Sequence, residues 1–345
     1  GDVYKSQSGN GAAIWLTPHR QTSPGKLVHP PPPASPESVG MSKAALDRID
    51  AHLKNRYIDA GRFPGTHLLV YRRGKIAHSS VQGLADVERK VPVKDDTIYR
   101  IYSMTKPLTS VAFMMLVEEG LVAIDEPVAK YIPEWKDLGV FVAGTYPAFL
   151  TRPPSRPMLI VDLLRHTAGL TYGFQQRSNV DAAYRTEKIG EVEKSGTLQT
   201  MIEALAKIPL EFSPGEAWNY SVATDVLGYL VGKISGMPFE QFLKARILDP
   251  LGMTDTDFHV PASKAHRFAA CYSADPGGGM TFHAGQRREG PTLQDDPATS
   301  SFLSPPSFIS GGGGLCSTVA DYLTFCRALL NGGELGGVRL IGPKT

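Results

Sequence analysis

Cysteine, tryptophan and unbalanced charge are what this chain has least of. Three cysteines occur in 345 residues, Cys271, Cys316 and Cys326. An odd, sparse set argues against a disulfide scaffold and favours a reducing compartment, so a cytoplasmic setting is expected. The sequence opens at Gly1 without a charged-then-apolar leader. A cleaved leader would already be gone, which leaves a periplasmic or secreted setting open. No apolar stretch reaches the roughly 18 residues of a membrane span. Lysine and arginine total 36 against 34 aspartates and glutamates, a net charge of +2, with no long basic or acidic run. That leaves no electrostatic footprint for a nucleic-acid partner. No metal-like spacing surrounds His67 or His78, and neither metal nor cofactor is expected. There is no internal repeat. What is present is ordinary: 42% hydrophobic and 20% charged residues, enough chain for one large globular domain or two interlocked ones.

Residues 1–35 are rich in glycine, serine and proline, and include Pro30-Pro31-Pro32-Pro33. They read as an extended arm. Ser42 should cap a helix carrying Ala45, Leu46, Ile49 and Leu53 on one face. Two short runs around Arg73-Gly74 predict a β-hairpin, with His67 and His78 on its faces. A turn at Asp125-Glu126-Pro127-Val128 leads into a short helix ending near Pro133. Residues 136–158 hold four prolines and read as a surface loop. Val161–Arg165 is expected to be helical and stopped by Gly169, with His166 a hydrogen-bonded structural histidine. Ser213-Pro214-Gly215 is a turn. The helix beyond it shows Val226, Leu230 and Ile234 on one face and ends at Gly236, so Tyr220 lies on the loop before a buried helix. Asn219-Tyr220-Ser221 matches a glycosylation sequon but lacks the exposed, secreted setting one needs. Residues 273–309, with Gly277-Gly278-Gly279, are again loop-like. Gly311-Gly312-Gly313-Gly314 is no P-loop, and its glycines are expected to allow close backbone packing beside a site. Ser317 or Thr318 should cap a helix to about Leu330.

The stretch with most chemistry in it is Ser103-Met104-Thr105-Lys106. It opens an apolar helical run through Leu108, Val111, Ala112, Met115 and Leu116 that stops at Gly120. Residues three apart share one helix face, with Cβ atoms roughly 5–6 Å apart. The spacing therefore puts an amine beside a hydroxyl that is a poor nucleophile unless a base is in reach. Pro107 must fall in the first turn, where its missing N–H was unpaired anyway. Ser103 is thus expected at or next to the N-cap, where backbone N–H groups favour a developing anion.

Four stretches then occur in order: Ser103-Met104-Thr105-Lys106-Pro107, Leu163-Leu164-Arg165-His166-Thr167-Ala168-Gly169-Leu170, Pro214-Gly215 before Tyr220-Ser221, and Gly311–Gly314 before Ser317-Thr318. Over roughly residues 36–345 this set resembles the class C β-lactamase-like serine hydrolases, and most of all their family VIII carboxylesterase branch. The resemblance implies an α+β fold of the β-lactamase and penicillin-binding-protein type. An antiparallel sheet with flanking helices, residues 36–110 and 311–345, would carry an inserted, mostly helical domain, residues 111–310, with the active site in the cleft. It implies Ser103 as nucleophile, Lys106 as its activating partner and Tyr220 as second base. A phenol with a pKa near ~10 serves as a base at neutral pH only if a nearby cation favours its ionised form. Whether the lysine amine or the tyrosinate takes the first proton stays open. The Ser103 N–H would be one oxyanion donor. Tyr172 and Phe174 are candidates for the acyl pocket, and Gly313 for the substrate-facing backbone.

Two departures shape the expectation. Where lactamases of this class place an asparagine two residues after the tyrosine, this chain has Val222, which cannot hydrogen-bond and favours esters over β-lactams. The family's third motif, Lys-Thr-Gly, His-x-Gly or Trp-Gly-Gly on a later strand, is missing: His283-Ala284-Gly285 comes too early, Lys344-Thr345 has no glycine after it, and the last tryptophan is Trp218. With only Leu335–Ile341 after the last helix, the chain is expected to be the larger part of a longer protein, lacking roughly 80 residues of a catalytic unit of ordinary domain size. Its sheet would then hold two strands with an unpaired edge. The first reading is a serine esterase acting on small short-chain esters. A β-lactamase or D-aminopeptidase-like amidohydrolase, and a non-catalytic acyl-binding relative, are the alternatives. Oligomeric state is not legible.

Overall fold

The computed structural model describes residues 30–190, 196–273 and 290–345. Most of the expected arm, Gly277-Gly278-Gly279 and His283-Ala284-Gly285 lie outside them. The first helix, α1 (Lys43–Leu53), starts as expected, with the Ser42 Oγ accepting from the Ala45 N–H at 3.2 Å. Strands β1 (Gly65–Arg72) and β2 (Lys75–Asp86) form the hairpin about Arg73-Gly74. His78 Nε2 lies 3.0 Å from Asp50 of α1 and ties helix to sheet. The two-strand expectation is corrected: β3 (Val91–Pro92) pairs with β2 at Leu84 and Asp86, giving the order β1-β2-β3. Among the described residues β2 is the one strand paired with β1.

The next strand, β4 (Tyr99–Arg100), runs into α2 (Thr105–Glu118), whose Leu108, Val111, Ala112, Phe113, Met115 and Leu116 are all buried. Residue 110 lies within this helix. Instead of a short helix near Pro133 there are two 3-10 turns, Val128–Lys130 and Pro133–Trp135. The loop expected over residues 136–158 is in fact a hairpin, β5 (Val140–Thr145) with β6 (Ala148–Arg152). Its prolines misled because Pro147 sits in the connecting turn and the other three follow β6, so none interrupts the ladder.

Helix α3 (Ile160–Arg165) does not wait for Gly169 to stop. His166 itself turns left-handed, at φ 58°. Then come α4 (Asn179–Thr186), α5 (Leu198–Leu205), α6 (Ala223–Ser235), α7 (Phe239–Leu243) and the single turn α8 (Asp249–Leu251). On α6, Val226, Leu227, Leu230 and Val231 are wholly buried against α2 and its neighbours. Each such side chain contributes about 1.5–3 kcal/mol of hydrophobic stabilisation, before the entropy of ordering it.

Residues 273–309 are not all loop: β7 (Cys271–Ser273) pairs with β8 (Thr292–Asp295), and Ser301–Leu303 is a 3-10 turn. Arg100, buried, reaches across to the Asp295 carboxylate and to the Ala269 carbonyl at 2.6 Å. Strand β9 (Cys316–Ser317) pairs with β4. Ile98 bridges Phe268 and Asp257 bridges Cys316, so residues 257–270 are hydrogen-bonded to the flanks of α2 and not to the helices alone. Thr318, not Ser317, caps α9 (Val319–Leu330). After α9 comes a small hairpin, β10 (Glu334–Leu335) with β11 (Val338–Arg339). No helix among the described residues is long and apolar enough to cross a membrane.

Candidate active site

Ser103 sits next to the N-cap of α2, as expected. It occupies a 3-10 turn, Tyr102–Met104, and Met104 is the cap. Tyr102 carries a φ of 40°, a conformation that costs a non-glycine residue about 1–3 kcal/mol and that collects at functional sites. The turn adds a bend before the helix, and the serine ends on its mouth. Helical spacing still brings the lysine alongside: Lys106 Nζ donates to Ser103 Oγ at 3.3 Å. Tyr220, distant in sequence, donates its hydroxyl to the same oxygen at 2.5 Å. Lys106 Nζ lies 4.5 Å from the Tyr220 ring centroid. A serine oxygen, an amine and a phenol thus converge.

Tyr220 is held from both sides. Asn219 N–H donates to the His166 carbonyl at 2.9 Å, and Val222 N–H to the Thr171 carbonyl at 3.2 Å. The Gln175 amide donates to the Tyr220 carbonyl. His166, hydrogen-bonded as expected, has Nδ1 3.2 Å from Ser221 Oγ and its ring 5.0 Å from that of Tyr220. Burial, with the charge of Lys106, pushes its imidazole down to about 4. Asn219 of the sequon is buried, its amide donating to the Leu170 carbonyl and to Glu211.

Of the expected pocket residues, Tyr172 is buried and stacked on Phe174 at 4.8 Å. Burial and the neighbouring Asp225 push its phenol well up. Tyr172 stands 5.2 Å from the Tyr220 ring and 5.4 Å from Lys106 Nζ. Val222 is fully buried and packs toward Gly190. Gly313 is buried beside Gly312.

Three participants escaped the sequence reading. Gly312 accepts from Lys106 Nζ at 2.6 Å. Asp225 Oδ1 accepts from the Gly312 N–H at 2.9 Å. A carboxylate in the first turn of a mostly apolar helix was the one signal for it. Trp218 is 66% exposed, its ring 6.3 Å from Tyr220 and near-parallel to it. The glycine run does what was expected: a Cβ at Gly312 would stand 2.5 Å from an Asp225 oxygen and 2.9 Å from the Tyr172 hydroxyl. Thr109 Oγ1 donates to the Gly311 carbonyl at 2.8 Å and Leu315 N–H to Thr105 Oγ1 at 3.1 Å, which fastens that run to α2.

The family model Beta-lactamase matches residues 47–341. Protein Rv1367c of Mycobacterium tuberculosis is 38% identical over 287 residues, 83% of this chain and 67% of that protein. Esterase EstB of Burkholderia gladioli is 30% identical over 302 residues, 85% of this chain and 72% of that protein. Among solved structures, EstCE1, described as a hydrolase with promiscuous acyltransferase activity, superposes with a TM-score of 0.69 at 25% identity, over 86% of this chain and 75% of that one.

Proposed function

We propose, from the premise that this chain belongs to the beta-lactamase family and is a serine hydrolase of its α+β fold, that it cleaves short-chain carboxylic esters through an acyl-enzyme on Ser103, as a family VIII-type carboxylesterase. The observation that carries this reading is the convergence of the Lys106 amine and the Tyr220 hydroxyl on one serine oxygen, at 3.3 and 2.5 Å. Ser103 attacks the ester carbonyl carbon. The Lys106–Tyr220 pair, in the form in which one of the two lacks its proton, accepts the serine proton and passes it to the departing alkoxide. Water then attacks the acyl carbon, the same pair takes its proton and returns it to Ser103 Oγ as the Oγ–acyl bond breaks, and the acid is released. The Ser103 N–H, on the mouth of α2, is one donor to the oxyanion.

The ester preference is supported by Val222, which buries an apolar side chain where a lactam-binding amide would be needed. It is supported also by the name of EstB. Phe174 and the Gly313 backbone belong to the substrate side of the cleft in this reading, and Tyr172 supports them from beneath. The cleft lies between the α/β part, residues 36–110 and 311–345, and the inserted helices.

The test pairs p-nitrophenyl esters of C2–C6 acids with nitrocefin. The esters should be turned over with the higher kcat/KM. Ser103→Ala, Lys106→Ala and Tyr220→Phe should each lose at least about 10²-fold, the lower range for general-base catalysis. A Tyr220→Phe enzyme within threefold of wild type would remove Tyr220 from the mechanism. Nitrocefin turnover without ester turnover would favour a β-lactamase-like enzyme instead.

A further inference from the structure

We propose that Asp225 is a positioning residue for this hydrolysis: its buried carboxylate holds Gly312, and through Gly312 the Lys106 amine, in register with Ser103. The inference rests on the reading of Ser103, Lys106 and Tyr220 above and assigns a part to a residue outside that set.

Asp225 is the third residue of α6 and is 1% exposed. Its Oδ1 accepts from Ser310 Oγ at 2.5 Å and from the Gly312 N–H at 2.9 Å. The Tyr172 hydroxyl lies close by: a Cβ at Gly312 would meet both it and the carboxylate. Donors gathered on a buried acid are an arrangement for a carboxylate, which can only accept. Burial pushes the Asp225 carboxyl up; Ser310, Gly312 and the charge of Lys106 pull it back in part.

The amine's shorter hydrogen bond is not to the serine. Lys106 Nζ stands 2.6 Å from the Gly312 carbonyl and 3.3 Å from Ser103 Oγ. Gly312 thus receives the ammonium on its carbonyl and gives its N–H to the carboxylate. The order is cation, peptide group, anion, with the peptide dipole aligned between two opposite charges. A neutral side chain at position 225 could accept the same N–H but could not complete that order. The absence of a Cβ at Gly312 is what lets the carboxylate come so close.

Asp225→Asn preserves shape and removes the charge. With p-nitrophenyl butyrate as substrate, kcat should fall tenfold or more while KM stays within threefold. Fluorophosphonate labelling of Ser103 should slow in step. The titratable groups around the Lys106 amine are Asp225 from α6, His166 and Tyr172 beyond α3, and Tyr220 before α6. Removing a buried anion disfavours the cationic form of this coupled set, so the alkaline limb of the kcat–pH profile should move to lower pH. A kcat within threefold of wild type would overturn the proposal. So would a tenfold fall with an unmoved profile, since a packing defect does that. Should Asp225→Asn fail to fold, Ser310→Ala decides: it removes one donor and keeps the charge. A loss of threefold or more in kcat at constant KM is then expected, and an unchanged kcat overturns the proposal. Ser103→Ala runs alongside. If it retains turnover, the esterase reading has failed; if it is inactive and labels nowhere, a null result at Asp225 counts against the relay alone.

Discussion

Trp218 is the residue whose placement is least explained by folding. Two-thirds of its surface is exposed, yet its ring is near-parallel to Tyr220 and edge-on to His166 at 6.2 Å. An exposed indole beside the Tyr220 ring offers a flat apolar face to whichever part of the ester lies over it. Aromatic contacts add about 0.5–1.5 kcal/mol beyond area burial. Trp218→Ala should therefore raise KM for aryl esters by about threefold to tenfold, with kcat within twofold, in steady-state kinetics on p-nitrophenyl and alkyl esters compared side by side. Equal KM values for both ester classes before and after the substitution would leave Trp218 without a part in binding.

At the scale of elements, the site depends on a stretch with no regular structure of its own. Residues 310–315 are pressed between α2 and α6, tied to one by Thr105, Lys106 and Thr109 and to the other by Asp225. Gly312→Ala would push a methyl group to 2.5 Å from an Asp225 oxygen. Overpacking of this kind costs about 1–3 kcal/mol, and here it moves the lysine's acceptor as well. The variant should be less stable by about that amount in urea unfolding and should lose ester turnover by tenfold or more. Gly232→Ala on α6 is the control: nothing lies closer than 3.6 Å to its new Cβ, and alanine is the better helix former by about 1 kcal/mol. It should be neutral or stabilising.

For the whole molecule, His166 links pH to stability. In the folded chain it titrates at about 4, against about 6.5 for an exposed imidazole. Above pH 6.5 it is neutral folded or unfolded, and contributes nothing. As pH falls from 6.5 toward 4 the unfolded chain takes up the proton first, so stability declines; below 4 both states hold it and the decline ends. Allowing for its partial exposure, the loss is about 2 kcal/mol. Glu211, Asp225 and Asp321, all raised by burial, act in the opposite sense, losing stability as pH rises through their raised values. The histidine's part is therefore read as a difference. His166→Asn, which tolerates the left-handed φ, should flatten the stability profile between pH 6.5 and 4 in urea titrations. An unchanged slope would mean that the imidazole protonates freely in the fold.

The local part of this site was legible from the chain alone. Ser103 and Lys106 meet because helical spacing leaves them little choice, and Pro107 marks where the helix begins. The Ser42 cap, the hairpin at Arg73-Gly74 and the stops at Gly120 and Gly236 are likewise set within a few residues. Tyr220 could be named only through the ordered motifs, since nothing local aims it at Ser103. What brings it there is the bed made by His166, Thr171 and Gln175. The strands at 140–152 and 292–295 were hidden because proline counts register composition, while a strand depends on which N–H groups the ladder uses. Asp225 was illegible for a related reason. A carboxylate at a helix start reads as a cap or a surface charge, and only the approach of Gly312 from 87 residues away turns it into the buried partner of the lysine's anchor. Spacing along one element is decided by covalent geometry; the meeting of elements is decided by packing, and packing is where this site is completed.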